Sequence, residues 1–467
     1  MWARLKATIK HSRSQAKEQT IGRRRLKGQI KDRDAKIARQ DAEIARLRKI
    51  AEPEKVFNHS YPAQMMVLAV YIVVHAGGSL RCAAKSAAFF AQMMGWPLYG
   101  KPSPTTIRNW VLRCGYYALE YTRDLQGDYV VIIDESIQIG KEKLLLMLGV
   151  KVDAGQCYSA PLCGLDAEVL GMEVQNSWTG PFIARFIQDN LSRYPGLKLK
   201  YAVSDQGTSL LAAMRSLSLP RASDCSHVMM NAVKDIFGQD EALSELSASI
   251  GQLRRRLMLS DWGGLLPPTL RDKDRFLRIF TIVEWANRMD GYWAKLPAVA
   301  RRHIAFYRKA WPLLRRLRQV RELIAIASAI LKTAGLSEHS FQRWQQSAAQ
   351  YLSAQKEATK QAKAFVAKID AYFAAHAGLY KGCSQIICCS DIIESTFSRY
   401  KNKGGMKAIS ADVLSVALYN REITSGFVRS ALTSVSCLDV EEWQEDNVCH
   451  NRYGLRKSMD RELKSLG

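Results

Sequence analysis

The sequence has few cysteines and no long apolar run, and these two scarcities exclude several classes of protein. Ten cysteines among 467 residues, with no CxxC pair, are too sparse for a disulfide scaffold. The longest apolar run, Met65 to Val74, is well short of the roughly 20 residues that a membrane-spanning helix needs. The first twenty residues are polar and basic and lack the apolar segment of a secretory signal. We therefore expect a reduced cytoplasmic protein with no membrane partner.

Acidic residues are also in short supply relative to basic ones. The chain has 44 Asp and Glu against 68 Lys and Arg, a net charge of +24. This excess predicts a polyanionic partner, because surface cations gain affinity by releasing the counterions condensed on phosphates. A hydrophobic content of 47% is enough for substantial cores. A chain of this length corresponds to roughly two to four folding units.

Residues 1–55 are predicted to form a basic tail followed by a helix. Apolar residues there recur at heptad spacing. One core position carries Ile30, Ile37, Ile44 and Ala51, and the other carries Leu26, Arg33, Gln40 and Leu47. Because polar residues occupy two of these positions, the pattern fits either a weak coiled coil that makes a dimer contact or a solvated helix rich in charge.

Residues 56–123 are predicted to be helical and to bind DNA. One helix begins after Ser79, and another begins at Ser103-Pro104, where Ser is a cap and Pro suits the first turn. A small-residue helix, a connection and a helix with a polar, cationic front follow the helix-turn-helix order, in which the second helix enters the major groove. The predicted DNA contacts are Thr105, Thr106, Arg108 and Asn109. The connection, residues 95–103, is longer than a standard turn, so a plain helical bundle is the alternative.

Residues 124–234 change to the pattern of buried strands. The segments "DYVVIIDESIQIG", "EKLLLMLGVKVD" and "AEVLGMEVQNSWT" precede a helix, "GPFIARFIQDNLSRY", and a further strand lies in "LKLKYAVSDQG". Three strands, a helix and another strand is the order of a ribonuclease-H-like α/β domain, with a mixed five-stranded sheet and flanking helices. Residues 235–380 are predicted to be an all-α insertion, residues 381–430 to return to the domain, and residues 431–467 to be a tail.

Three carboxylates occupy positions that this topology would bring together. Asp134 ends the first strand, Asp205 ends the fourth strand beside it, and Glu394 lies on a helix after the insertion. Because three close acids repel one another, we expect Mg²⁺ to compensate, with Mn²⁺ as a substitute. Two such ions about 3.5–4 Å apart can activate a water or a 3′-hydroxyl and stabilise the leaving oxygen of a phosphodiester. Taken singly, each acid also has a structural interpretation, as a cap of a turn or helix or as an exposed helix residue.

The segments around these acids resemble those of DDE transposases of the retroviral-integrase superfamily, particularly bacterial insertion-sequence transposases. The segments are "VVIIDES", "YAVSDQGTSLL" and "IIESTFSRYKNK". Lys401 follows Glu394 after six residues, as in the E-x6-K part of that signature, whereas the upstream tyrosine and arginine of the fuller signature are absent. The resemblance implies that Asp134, Asp205 and Glu394 are the catalytic, metal-binding triad. The cations that follow Glu394 are expected to bind the strand being cut: Arg399, Lys401 and Lys403.

A second similarity concerns "SDCSHVMMNAV". Asp224 precedes His227 by three residues, which is similar to the [C/D]xxH motif that Mutator- and hAT-like transposases place after their second Asp. This resemblance implies that Asp224 and His227 lie near the active site. A core or surface histidine is the alternative, and no ligand spacing supports a zinc site that combines His227 with cysteines.

The sequence as a whole predicts a DNA transposase that binds terminal inverted repeats and cuts and joins DNA with two Mg²⁺ ions per active site. Its partners would be transposon ends and target DNA, on the nucleoid of a bacterial cytoplasm. Two ends must be bound at once, so we expect at least a homodimer. Another ribonuclease-H-like nuclease, or a catalytically inactive DNA-binding protein descended from a transposase, is the alternative.

Overall fold

The computed structural model describes most of the chain. The described residues are 2–96, 100–121, 123–135, 142–152, 162–270, 275–381, 385–402, 409–448 and the single positions 456, 459 and 463. None of the described helices is both long enough and apolar enough to cross a membrane.

A mixed five-stranded sheet forms the centre of the fold. Its strands are β1 (Gly127–Glu135), β2 (Lys143–Lys151), β3 (Ala167–Gln175), β4 (Leu197–Ser204) and β5 (Arg221–Ser223). The spatial order is β3-β2-β1-β4-β5. Strand β2 pairs antiparallel with both β1 and β3, whereas β4 pairs parallel with both β1 and β5. The prediction of a mixed five-stranded α/β sheet is confirmed. Only β5 had not been located from the sequence, because three residues carry too little pattern to mark a strand.

The two faces of the sheet are packed against different helices. On β1, Tyr129, Val131 and Ile133 belong to a core closed by α5 (Gly180–Ser192) and α6 (Thr208–Ser216), whereas Val130 and Ile132 belong to the larger core on the opposite face. Because both faces are covered, the central strands are nearly continuous apolar runs. Strand alternation turns Asp134 toward the face of the larger core and Glu135 toward the other.

Helices before the sheet pack against helices at the end of the chain. The N-terminal part contains α1 (Trp2–Ala51), α2 (Ala63–Val74), α3 (Leu80–Met93) and α4 (Pro104–Glu120). The last part contains α16 (Asp391–Lys401), a 3₁₀ helix (Ala411–Leu418), α17 (Ser425–Ser434) and α18 (Cys437–Asn447). Helix α4 contacts α2, α3, α17, α18 and this 3₁₀ helix. Residues from both ends of the chain therefore share one core.

The described parts of residues 235–380 consist of helices joined by turns and loops, and one bridge pairs Leu336 with Ile386. The helices are α7 (Cys225–Phe237), α8 (Glu241–Leu257), α9 (Arg275–Tyr292), α10 (Ala298–Ile304), α11 (Phe306–Lys309), α12 (Trp311–Ala334), α13 (Glu338–Ser353), α14 (Lys360–Ala375) and α15 (Ala377–Tyr380). Short 3₁₀ turns lie at Gly164–Asp166, Gly263–Leu265 and Trp293–Lys295.

Buried hydrogen bonds fix this helical region to the edge of the sheet. The Tyr372 hydroxyl donates to the Ser223 carbonyl of β5 at 2.8 Å, and the Ser223 N–H donates to His376 Nε2 at 3.0 Å. The Ile387 N–H donates to the hydroxyl oxygen of Tyr201, on β4, at 2.6 Å. The chain therefore returns to the sheet beside β4 and β5 before α16 begins.

Candidate functional site

The parallel pairing of β1 and β4 brings two of the predicted acids together at the carboxyl ends of these neighbouring strands. Ile132 pairs with Val203, and the same register continued by two residues sets Asp134 beside Asp205. Burial and the Asp205 carboxylate raise the pKa of Asp134 to about 8, and Glu394 adds to the rise while His227 opposes it. Burial disfavours the charged form of this carboxyl group, and the neighbouring carboxylates add to that effect.

The turn after β4 holds Asp205 in place. The Gly207 N–H donates to Asp205 Oδ1 at 2.8 Å, and Gly207 precedes α6. A Cβ at residue 207 would lie 2.9 Å from that oxygen, so a larger residue there would displace the Asp205 carboxylate. The Arg221 guanidinium donates to the Asp205 carbonyl at 3.1 Å. The turn and β5 thus fix the backbone that carries the second acid.

Glu394 reaches the same region from α16. This helix packs against β1 through a buried face that includes Ile393 and Phe397, and Glu394 lies beside that face on an exposed position. Partial burial of the carboxyl group and the charge of Asp224 raise the pKa of Glu394, while His227 and Lys332 oppose the rise. Solvent reaches this side chain, which weakens the shift.

Asp224 joins the start of α7 to the start of α16. Its Oδ2 accepts hydrogen bonds from the His227 N–H at 2.8 Å and from His227 Nδ1 at 2.9 Å, while its Oδ1 accepts the Ser390 N–H at 2.8 Å. The hydrogen bond to Asp224 raises the pKa of His227 to about 9, and the charges of Asp205 and Glu394 add to the rise. His227 is therefore a cation at neutral pH and faces the acids.

Asp224 also belongs to a tighter group of possible metal ligands, with Cys225 and Cys389. One oxygen of Asp224 and the sulfurs of Cys225 and Cys389 lie within 4.8 Å of one another, whereas Asp134, Asp205 and Glu394 do not form so close a group. Both Asp224 oxygens already accept hydrogen bonds, and thiol hydrogen bonding together with burial raises the pKa of both cysteines. The cluster is hydrogen-bonded as it stands, with protonated thiols.

The predicted DNA-binding cations after Glu394 divide into two kinds. Burial lowers the pKa of Lys401, against the opposing charges of Asp134 and Glu394, so its ammonium lies near the acids. Arg399 instead donates to the Tyr419 carbonyl at 3.0 Å and to the Val74 carbonyl at 2.9 Å. Its guanidinium is engaged within the protein and ties α16 to α2. The predicted contact at Lys403 lies outside the described residues.

Most of the α4 side chains predicted to contact DNA are partly covered by the rest of the protein. Thr105 is the one exposed residue of the helix. The Thr106 hydroxyl is hydrogen-bonded to Ser103, and the half-buried Arg108 is ion-paired with Asp412 at 2.8 Å. Asn109 is half-buried. Helix-turn-helix recognition needs several side chains free to reach base edges. This packing favours the helical-bundle alternative, and DNA contact by α4 stays a prediction.

Sequence reasoning missed a pair beside the acids. Lys332, near the end of α12, donates to Asp391 in the first turn of α16, and Asp391 also accepts from the Ser226 hydroxyl at 3.3 Å. These residues join the helical region to α16 next to Glu394. Fifty-nine residues separate Lys332 from Asp391, so no local pattern could have marked the pair.

The site therefore combines a carboxylate edge with two cations, His227 and Lys401, and has the polarity to bind a divalent cation next to a phosphate. No protein-family model matches the chain, and no curated protein is significantly similar to it.

Proposed function

We propose that this protein is a DDE-type DNA transposase with a ribonuclease-H-like catalytic domain. Water would break one phosphodiester at the transposon end, which leaves a free 3′-hydroxyl and a 5′-phosphate. That hydroxyl would then attack a phosphodiester of target DNA. The attack joins the transposon 3′ end to the 5′ side of the target break and releases a 3′-hydroxyl on the target strand. The enzyme would bind inverted repeats at the ends of its element and act on nucleoid DNA in a bacterial cytoplasm.

One observation supports the proposal: the charges of Asp205 and Glu394, both remote in the sequence from Asp134, act on the Asp134 carboxyl group. Asp134 and Asp205 lie at adjacent strand ends, and Glu394 lies on the helix that packs against β1. Asp205 and Glu394 both raise the pKa of Asp134. The strand order and directions are compatible with a ribonuclease-H-like sheet, and the net charge of +24 suits a nucleic-acid partner.

The donor set suits a hard divalent cation. Carboxylates offer oxygen ligands only, which Mg²⁺ and Mn²⁺ prefer. Burial and the repulsion from Asp205 and Glu394 raise the pKa of Asp134 to about 8, and a bound cation would relieve the repulsive part. Asp134, Asp205 and Glu394 would hold Mg²⁺, with two ions in each site. Mg²⁺ would act as a Lewis acid on the attacking oxygen and stabilise the leaving one.

The cations of the chain would hold the DNA backbone at this edge. Lys401 lies near Asp134 and Glu394, and the His227 imidazolium is held by Asp224. Their positive charges offset the repulsion between the acids and a phosphodiester. Asp224 would act as a positioning residue, because its two oxygens hold both His227 and the first turn of α16.

Strand cleavage and strand transfer with purified full-length protein test the proposal. The substrate is a plasmid that carries the DNA flanking this reading frame on both sides, incubated with Mg²⁺ and a second plasmid as target. We expect Asp134→Asn, Asp205→Asn and Glu394→Gln each to lower cleavage by at least about a hundredfold, with DNA affinity within a few-fold of wild type.

Glu135→Gln is the matched control. Glu135 is next to Asp134 but points to the other face, where it pairs with Lys143 at 3.3 Å, so this variant should cleave like wild type. Full cleavage by a triad variant would remove that residue from the proposed site. Cleavage without joining would favour another ribonuclease-H-like nuclease, and DNA binding without cleavage by wild type would favour an inactive descendant.

A further inference from the structure

Helix α1 has an apolar stripe that no other part of the described chain covers. All side chains from Arg25 to Leu47 are exposed. The large apolar residues among them are between 46% and 58% exposed: Leu26, Ile30, Ile37, Ile44 and Leu47. A regular apolar stripe on an exposed helix indicates a face that packs against a partner.

The helix also needs a partner for its own stability. It contains Gly22 and Gly28, and a glycine inside a helix costs about 1 kcal/mol relative to alanine. Most helical stability in proteins comes from packing of an apolar face. Between residues 25 and 47 that packing is missing in the single chain.

We infer that α1 pairs with α1 of a second copy of this chain as a parallel, in-register, two-stranded coiled coil. Ile30, Ile37 and Ile44 occupy heptad position a, and Leu26 and Leu47 occupy position d. Within parallel coiled coils, β-branched residues at a with leucine at d favour two strands over three or four. An antiparallel pair would instead set Ile37 against Gln40 and Ile44 against Arg33, which buries polar groups against isoleucine.

The charged flanks favour the same arrangement. In a parallel dimer, position g of one helix faces position e of the next heptad in its partner. This sets Lys36 of each copy against Asp41 of the other, an attractive pair formed twice. An antiparallel pair would set Asp34 against Asp41, which repel each other. Glu43, also at g, is bound within its own helix by Arg46 at 2.7 Å.

Arg33 and Gln40 at position d limit the strength of the dimer and define its register. Paired glutamines can hydrogen-bond to each other, and Asp34 of the opposite helix lies beside Arg33 at the adjacent e position. A shift by one heptad would set these polar residues against Leu26 or Leu47. Polar groups at core positions therefore select one alignment at a cost in affinity.

The dimer forms whatever the chemistry of the acid site. Its stretch from Leu26 to Leu47 would be about 32 Å long at 1.5 Å per residue. Only one consequence rests on the proposed function: a stable dimer would present two catalytic sites to two DNA ends.

Sedimentation equilibrium of the full-length protein tests the pairing. We expect wild type to dimerise at micromolar concentration and Ile37→Asp to raise the dimer dissociation constant by at least about a hundredfold, because two carboxylates would be buried at position a. Ala42→Asp adds the same charge on the outer face of α1, at position f, and should leave the dimer intact. A monomeric wild type, or equal dissociation constants for wild type and Ile37→Asp, would overturn the inference.

Cysteine cross-linking tests the direction and register. In a parallel in-register dimer the two copies of Ile30→Cys face each other and should form a disulfide-linked dimer under mild oxidation. Ala35→Cys, at the outer position f, and wild type with its natural cysteines should not. Failure of Ile30→Cys to cross-link above these controls would overturn the parallel arrangement.

Discussion

The charged form of Asp134 carries an electrostatic cost in the folded protein, because the carboxyl group is buried and lies near Asp205. Its pKa rises from 3.8 to about 8 on folding, so the folded state holds this proton more tightly than the unfolded chain. The contribution of Asp134 to the free energy of unfolding therefore falls as the pH rises from about 4 to 8. Strongly shifted carboxyl groups are concentrated at functional sites, which agrees with the role proposed for Asp134.

Asp134→Asn should remove this cost. Without divalent cations at pH 8, we expect the variant to be more stable than wild type by on the order of 1–3 kcal/mol, and the difference should shrink toward pH 5. Thermal unfolding in the presence of a chelator at both pH values measures it. Glu135→Gln should show no such gain. A variant that is less stable than wild type at pH 8 would contradict the account.

Replacing Arg399 with alanine should lower the free energy of unfolding more than replacing Lys401 does. Arg399→Ala leaves the buried carbonyls of Val74 and Tyr419 without its hydrogen bonds, so we expect a loss of about 2–4 kcal/mol in the free energy of unfolding. Arg399→Lys should not restore it, because an ammonium lacks the planar fork. Denaturant titration measures both variants.

Lys401→Ala is the comparison. We expect its free energy of unfolding to fall by less than that of Arg399→Ala, by about 1 kcal/mol or less, while its DNA affinity falls and the salt dependence of binding weakens by about one phosphate contact. Equal stability losses for the two variants would show that Arg399 has no special structural role.

At the scale of elements, the packing of α4 depends on one glycine. A Cβ at Gly115 would collide with the carbonyl of Leu414 in the 3₁₀ helix. Gly115→Ala should therefore destabilise the protein by about 1–3 kcal/mol, because α4 and the 3₁₀ helix would have to separate.

Gly251 provides the matched control, since it also lies inside an α-helix and no atom lies within 4 Å of its added Cβ. Gly251→Ala should be neutral or stabilising by up to about 1 kcal/mol. Chemical denaturation of both variants compares them. The close approach of α4 would be refuted if Gly115→Ala behaved like Gly251→Ala.

Helix α16 shows why elements remote in sequence must be positioned by specific contacts. Its first turn is held by Asp224 through Ser390, and by Lys332 through Asp391. Both partners lie outside α16, one after β5 and one on α12. Glu394 can approach the sheet edge only because these contacts set the start and direction of its helix.

At the scale of the whole molecule, the sequence predicts the sheet better than the helical surroundings. Strands β1 to β4 are apolar runs with strong β preference, so their pattern is visible without a structure. The neighbourhood of Asp134 and Asp205 follows from strand order alone. The role of Arg399 does not, because its partners at Val74 and Tyr419 are remote in sequence.

The sequence also does not predict that helices from the two ends of the chain share one core. Residues 437–447 read as polar, yet they form α18, with Val440 and Trp443 buried. Two apolar residues suffice once α4 provides the opposing surface. Amphipathic patterns tell which face of a helix is buried but not which partner covers it.

The central claim is that Asp134, Asp205 and Glu394 bind a divalent cation together. Anomalous diffraction from crystals of the full-length protein grown with Mn²⁺ tests it most directly. We expect an anomalous peak within coordination distance, about 2.0–2.4 Å, of oxygens from Asp134 and Asp205, with Glu394 completing the site, and loss of the peak in Asp134→Asn. Mn²⁺ bound instead by Asp224, Cys225 and Cys389, or no peak near the three acids at saturating Mn²⁺, would contradict the account.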